Sequence, residues 1–236
     1  MDDGPAKYKI MSIWNTLTKA VTGSVNLLRP NDPPTKRIVW LSAGHSNMKS
    51  KDRGAIYKSY TDRYPGSQIT EGDLTVGLRI RIMKFMTDAG FANQIRSDVD
   101  SNVTAETYKE WEKLVAPGDL MLDIHFNSAV TDKATGTEVI TPDTPSKVEW
   151  ALAKRLAQAT HDTLQIPLRG SNAGAKTEKE SNRGRLLMMR LRCEAILWEV
   201  CFPNNPDEQR KFLDNEDDLT AEVCGRILIP YLKGEI

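Results

Sequence analysis

The chain has 236 residues, enough for one large domain or for an ordinary domain with a short appendage. Its 39% hydrophobic and 27% charged content is that of a folded globular chain and excludes collagen-like, fibrous and disordered readings. Thirty-two basic side chains balance thirty-two acidic ones, so no overall positive field favours nucleic acid, and the longest clean apolar run, Ile38-Val39-Trp40-Leu41, is far short of the roughly 20 residues that span a bilayer.

Residues 1–35 differ from the rest and are expected to form a separate segment, with the main domain occupying 36–236. Ile10, Trp14, Leu17, Val21, Val25 and Leu28 recur every three or four positions and predict an amphipathic helix that docks on the domain or contacts a partner. Pro30, Pro33 and Pro34 end it in a stiff linker. The start, Met-Asp-Asp-Gly-Pro-Ala-Lys, has no basic segment leading into an apolar stretch. No signal peptide is therefore visible, and synthesis in the cytoplasm is expected.

From Arg37 onward, strand and helix signals alternate. Arg37 to Ser42 is a short β-rich run ending at the Ala43-Gly44 turn. Leu74, Leu78, Ile82, Phe85, Met86 and Ala89 trace one face of a helix that stops at Gly90, and Thr104 to Val115 predicts a second helix. Leu120–Phe126 and Gly136–Thr141 read as buried strands. A long helix is expected from Pro145 to Leu164, with Thr144 as N-cap and Pro145 in the first helical position. Glu194–Val200 reads as another buried strand, followed by helices over Asp207–Asn215 and Leu219–Leu232. This order predicts a single α/β domain with a central, mostly parallel (mixed) sheet flanked by helices. Cys193, Cys201 and Cys224 sit among apolar residues and cannot all pair, so they are expected to be reduced core residues.

The chain has three histidines. His161 lies on the long helix beside no other candidate ligand and reads as a boundary residue. His45 and His125 each follow or end a predicted strand, where ligands and metals collect in open α/β sheets. Two imidazoles converging there suit a metal, and a catalytic zinc needs a third protein donor. Glu71, Asp73, Asp52 and Asp62 are all candidates by position; Glu71 at a helix start also suits the helix dipole. Glu199 interrupts the apolar run Ala195-Ile196-Leu197-Trp198-Glu199-Val200-Cys201-Phe202. A carboxylate so placed must be paired, bind metal or be held for catalysis, unless it points to solvent from an edge strand.

These residues sit within a longer colinear pattern. Gly44-His45, Gly54-Ala55, Glu71, Asp123-Ile124-His125-Phe126-Asn127, Gly136-Thr137-Glu138-Val139, Leu186-Leu187-Met188-Met189-Arg190 and Leu197-Trp198-Glu199-Val200-Cys201-Phe202-Pro203-Asn204-Asn205 follow one another in order. In this the chain resembles the zinc-dependent N-acetylmuramoyl-L-alanine amidases of the Amidase_3 type, found in bacterial cell-wall hydrolases and phage endolysins. The resemblance runs from about Ile38 to Leu232. It implies one zinc ion held by His45, Glu71 and His125, and Glu199 as the catalytic carboxylate; it lifts Glu71 above the other acids.

The implied reaction is hydrolysis of the amide between N-acetylmuramic acid and L-alanine of the peptidoglycan stem peptide, with Asn127 expected to orient ligand or substrate. Two departures bear on substrate preference: Ser42-Ala43-Gly44-His45-Ser46-Asn47 replaces Asp-Pro-Gly-His-Gly-Gly, and Cys201 replaces a glycine. The 26 positions from His45 to Glu71 predict a long loop at the cleft. A zinc peptidase acting within stem peptides, and a catalytically silent wall-binding protein, are the alternative readings. Without a visible export signal, the enzyme would reach the wall during phage lysis or by another export route.

Overall fold

The structure is a computed structural model and describes residues 36–48, 51–61, 68–99 and 104–236. The expected amphipathic helix and proline linker of residues 1–35, and Asp62, lie outside the described residues. Strands β1 (Val39–Ser42), β2 (Ile56–Lys58) and β3 (Gln68–Thr70) precede helix α1 (Glu71–Asp88). Strand β4 (Ile95–Ser97), helix α2 (Thr104–Trp111), β5 (Leu120–His125) and β6 (Glu138–Thr141) follow. Next come α3 (Lys147–Leu164), β7 (Ala175–Thr177), the single turn α4 (Glu178–Ser181), β8 (Glu194–Glu199), α5 (Pro206–Val223) and α6 (Ile229–Leu232).

Six strands form one mixed sheet in the order β4-β1-β5-β8-β6-β7. The four strands from β4 to β8 are parallel, whereas β6 pairs with β8 antiparallel and with β7 parallel. This is the expected α/β domain. The four three-residue strands β2, β3, β4 and β7 were not foreseen, because so short a run carries no legible alternation. Strands β2 and β3 form an antiparallel pair inside the segment expected to be a long loop, and β4 and β7 close the sheet's two edges.

Side-chain alternation assigns each face. Leu120, Leu122, Ile124, Ile196 and Trp198 enter the larger core, with Leu78 and Ile82 of α1, Leu152 and Leu156 of α3 and Phe212 of α5. Met121, Ala195, Leu197 and Ile140 enter a smaller core with Tyr108 and Trp111 of α2 and with Met188 and Met189. Asp123 and His125 share parity with Met121, as Glu199 does with Leu197. The polar side chains thus emerge on the more thinly covered face, at the carboxyl ends of the parallel strands.

Three helix boundaries differ from expectation, and the first is the end of α2, which stops at Trp111 rather than Val115. Helix α3 is capped by Ser146, not Thr144: the Ser146 hydroxyl accepts from the Glu149 backbone N–H, and the Glu149 carboxylate accepts from the Ser146 N–H at 2.7 Å. Thr144 has Lys147 three positions on and cannot form that reciprocal box. Glu149 also accepts from Ala195 N–H at 2.9 Å, tying the helix start to β8. At the C-terminus the expected break between two helices is a kink inside α5 at Asn215 (φ −120°, ψ 16°), and a π-helical turn over Cys224–Leu228 leads into α6. All three cysteines are free, as expected.

Candidate active site

The site begins where β1 ends. Gly44, at φ +63°, turns the chain so that His45 faces back across the sheet end; a Cβ there would lie 2.5 Å from His125 Nε2. Gly54, at φ +64°, passes equally close, since its Cβ would sit 2.6 Å from Glu71 Oε2 and from His45 Cδ2. Both glycines are therefore required by the packing of the cluster they touch.

Glu71 is the first residue of α1. The reciprocal Thr70–Asp73 capping box fixes that helix start, and Arg53 pairs with Asp73 at 3.0 Å. Glu71 is 5% exposed, and each carboxylate oxygen is spoken for. Oε1 accepts from Phe126 N–H at 3.0 Å and lies 3.1 Å from His125 Nδ1; Oε2 accepts from Ala55 N–H at 3.1 Å and lies 3.4 Å from His45 Nε2. Burial would raise its pKa, but the His125 hydrogen bond and the charges of His125 and His45 prevail and bring it down to about 2.

The two imidazole rings meet edge to face with centroids 5.0 Å apart. His125 Nε2 contacts Asp123 Oδ2 at 3.2 Å, which leaves Nδ1 turned toward Glu71. Burial opposes the charged form of His125, yet Asp123 and Glu71 together hold its pKa well above the ordinary histidine value. For His45 burial dominates over Glu71 and lowers the pKa. One donor atom from each of His45, Glu71 and His125 lies within 4.8 Å of the others. Two imidazole nitrogens and a carboxylate oxygen are a donor set that divalent zinc accepts, and Asp123 behind His125 is the outer carboxylate such ligands usually have.

Glu199 ends β8 directly beside His125, with which it pairs in register, and it is wholly buried. On its other side Glu138 pairs with it across the antiparallel β6–β8 ladder. Arg183 NH2 forms an ion-pair contact with Glu199 Oε1 at 2.6 Å, and neither of the two buried carboxylate oxygens has a hydrogen-bond partner. Burial raises the Glu199 pKa against the pull of Arg183 and His125, to about 7.

The candidates therefore do not share one fate. His45, Glu71, His125 and Glu199 come together at one rim of the sheet. Asn127 lies beside them but is 5% exposed: its Oδ1 accepts from Arg183 at 3.2 Å and its Nδ2 donates to Glu138 at 3.3 Å. Asp52 stands 3.5 Å from His45 Nδ1 with a side chain 74% exposed, and Asp73 is committed to its helix cap. His161, half-buried at the end of α3, contacts the Ile166 carbonyl. Sequence reasoning missed Asp123, Glu138 and Arg183. The spacing Asp123-x-His125 places both side chains on one strand face and was the available signal for the first.

Residues 39–227 match the family described as Amidase_3, N-acetylmuramoyl-L-alanine amidase. The chain belongs to this family. No curated protein matches the amidase, but solved structures share its fold. An N-acetylmuramoyl-L-alanine amidase from Clostridium difficile 630 is similar with a TM-score of 0.63 and 17% identity, over 86% of this chain and all of that one. A putative amidase of the same kind from Neisseria meningitidis gives 0.61 and 21%, over 80% of this chain and 92% of that one. The catalytic domain of the CD27L endolysin, which targets Clostridia difficile, gives 0.58 and 18%, over 81% and 97%. The amidase acts on peptidoglycan, and among the described residues no helix is long and apolar enough to cross a membrane.

Proposed function

We propose that the amidase cleaves the bond between N-acetylmuramic acid and L-alanine with one zinc ion held by His45, Glu71 and His125, and with Glu199 as general base. The observation that carries this reading is Glu199 itself: a wholly buried carboxylate, paired in register with His125, whose Oε2 has no protein partner. A buried polar oxygen left without a partner costs about 1–3 kcal/mol, more when charged, so it signals a function that needs the free lone pair.

When bound, zinc supplies Lewis-acid chemistry, polarising the scissile carbonyl and acidifying water. The chain's own residues do the rest. Glu199 Oε2 takes a proton from the attacking water and returns it to the departing L-alanine nitrogen, so that one water is consumed and a carboxyl and an amine are released. Burial holds the Glu199 pKa up, to about 7 in the metal-free chain, and a carboxyl whose proton affinity is raised above the ordinary range is better able to take a proton and return it. Asp123 fixes the tautomer and orientation of His125, and the Phe126 and Ala55 N–H groups hold the Glu71 carboxylate between the two rings.

The test is to measure bound metal, digest purified peptidoglycan and identify the new termini. New N-terminal alanine on intact stem peptides, with one zinc per chain and its loss in His125→Ala, is the expected result. Shortened stem peptides would make the enzyme a peptidase instead, and zinc content undiminished by His125→Ala after dialysis would remove that ligand.

A further inference from the structure

We infer that Arg183 positions the Glu199 carboxylate for catalysis and that Asn127 serves the reaction by bracing Arg183, an assignment that rests on Glu199 being the general base. Glu199 is surrounded by groups that do little to fix it. It ends its strand, carries no hydrogen bond to either oxygen, and has a second carboxylate, Glu138, on the neighbouring strand. The cation that meets it is Arg183, at 2.6 Å from Oε1. That contact takes up one oxygen and leaves Oε2 as the one available to move a proton.

The Arg183 side chain is itself held. It stands between two residues in the left-handed region, Asn182 at φ 59° and Gly184 at φ 74°, a reversal just beyond α4. Its terminal nitrogen NH2 donates to Asn127 Oδ1 at 3.2 Å and makes an ion-pair contact with Glu199 Oε1 at 2.6 Å. Because a guanidinium is planar and rigid, fixing both directions from one nitrogen fixes the plane of the group. Asn127 cannot turn away, since its Nδ2 donates to Glu138 Oε1, and Glu138 Oε2 is gripped by Arg169 at 3.0 Å and Lys176 at 2.5 Å. Lys176/Arg169, Glu138, Asn127 and Arg183 form a hydrogen-bonded line from a strand edge, and the Arg183 ion pair carries it on to the base.

With both ends of its amide engaged inside the protein, Asn127 acts on substrate through Arg183 rather than directly. Arg183 is a positioning residue: it moves no proton and is assigned no contact with the scissile bond.

The experiment measures kcat and KM separately on soluble muramoyl-peptide fragments, with zinc content and melting temperature recorded for every variant. Arg183→Ala should lower kcat by about 10- to 100-fold with KM within about twofold, the scale on which a misplaced catalytic group is felt. Arg183→Lys should recover part of that loss, and guanidinium ions added to Arg183→Ala should raise kcat. Asn127→Ala should lower kcat less, and should add nothing to Arg183→Ala, because both act through one contact. A large rise in KM at unchanged kcat would make Arg183 a substrate-binding residue and overturn the assignment, as would additive losses or a drop in kcat that tracks lost zinc or folding. Glu199→Gln separates the two levels. If it abolishes hydrolysis while Arg183→Ala keeps full kcat, the positioning role alone fails; if it stays active, the reading of Glu199 as base fails first.

Discussion

Replacing Glu199 by Gln should make the metal-free protein more stable while removing its activity. In the folded chain the carboxyl holds its proton up to about pH 7, against an ordinary value of 4.5, because burial disfavours the anion. Below about pH 4.5 the group is protonated folded or unfolded and adds nothing. Between there and about pH 7 the unfolded chain gives up its proton and the folded one does not, so a cost of folding grows as pH rises; above about pH 7 it is complete. At about 1.4 kcal/mol per tenfold difference in proton affinity, that cost is about 3 kcal/mol. Glu199→Gln is nearly isosteric and carries no charge at any pH, so it should be spared it. For a domain of this size the gain is a melting temperature higher by roughly 6 to 12 °C at pH 8 to 9, fading toward pH 4.5. Differential scanning calorimetry of wild type and variant, each stripped of metal by a chelator, measures it across that range. With zinc restored the difference should shrink, because a nearby cation favours the anion, and hydrolysis should fall by about 10²- to 10⁴-fold with metal retained. A metal-free variant no more stable than wild type at pH 9 would refute the claim that Glu199 is held there at the expense of folding.

Three further outcomes follow from the packing. Gly54→Ala should cost about 1–3 kcal/mol in denaturant unfolding and loosen zinc retention measured by metal analysis, because its Cβ would lie 2.6 Å from Glu71 Oε2 at a φ of +64°. Ser146→Ala should cost about 1 kcal/mol through loss of the α3 cap, with kcat unchanged on soluble fragments. Glu138, buried but held below the ordinary range by Lys176 and Arg169, has the opposite sign to Glu199. Glu138→Gln should destabilise by about 2 kcal/mol at pH 7, and urea titrations should show the deficit closing as pH falls through the depressed pKa, where the wild-type carboxylate is protonated too.

Some of this site was legible in the sequence and some was not, for reasons that can be named. His45 and His125 stood out because each closes a predicted strand, and strand ends at one side of a parallel sheet converge. Glu199 stood out because an acid inside an apolar run has to be accounted for. Glu71 could not be chosen over Asp52, Asp62 and Asp73 by position alone; its place beside both imidazoles follows from a helix start that the Thr70–Asp73 box fixes against the strand ends, a three-dimensional fact. Arg183 gave no signal, sitting in the polar stretch Ser181-Asn182-Arg183-Gly184, and its meaning depends on which strand lies next to which. The sequence points to Thr144 as the cap because the proline after it suits a first helical position. The deciding contact is the reciprocal bond from Glu149, which also reaches across to Ala195 of β8.

Strand direction explains how two neighbouring carboxylates come to behave differently. Glu138 and Glu199 pair in register, yet one is held below the ordinary range and the other well above it. Two like charges so close favour leaving one of them protonated, and the surroundings decide which. Glu138 has Arg169 and Lys176 on a single oxygen and keeps its charge; Glu199 has one guanidinium, shared with Asn127, and no exposure to water. The result is a fixed anion beside an acid that can exchange its proton near neutrality, the separation that acid–base work requires. This arrangement depends on β6 running against the strands that carry His45, His125 and Glu199. Because it does, its first residue rather than its last arrives at the rim where His45, His125 and Glu199 meet. A parallel strand in that place would bring the buried hydroxyl of Thr141 there instead, and neither Asn127 nor, through it, Arg183 would have a charged anchor.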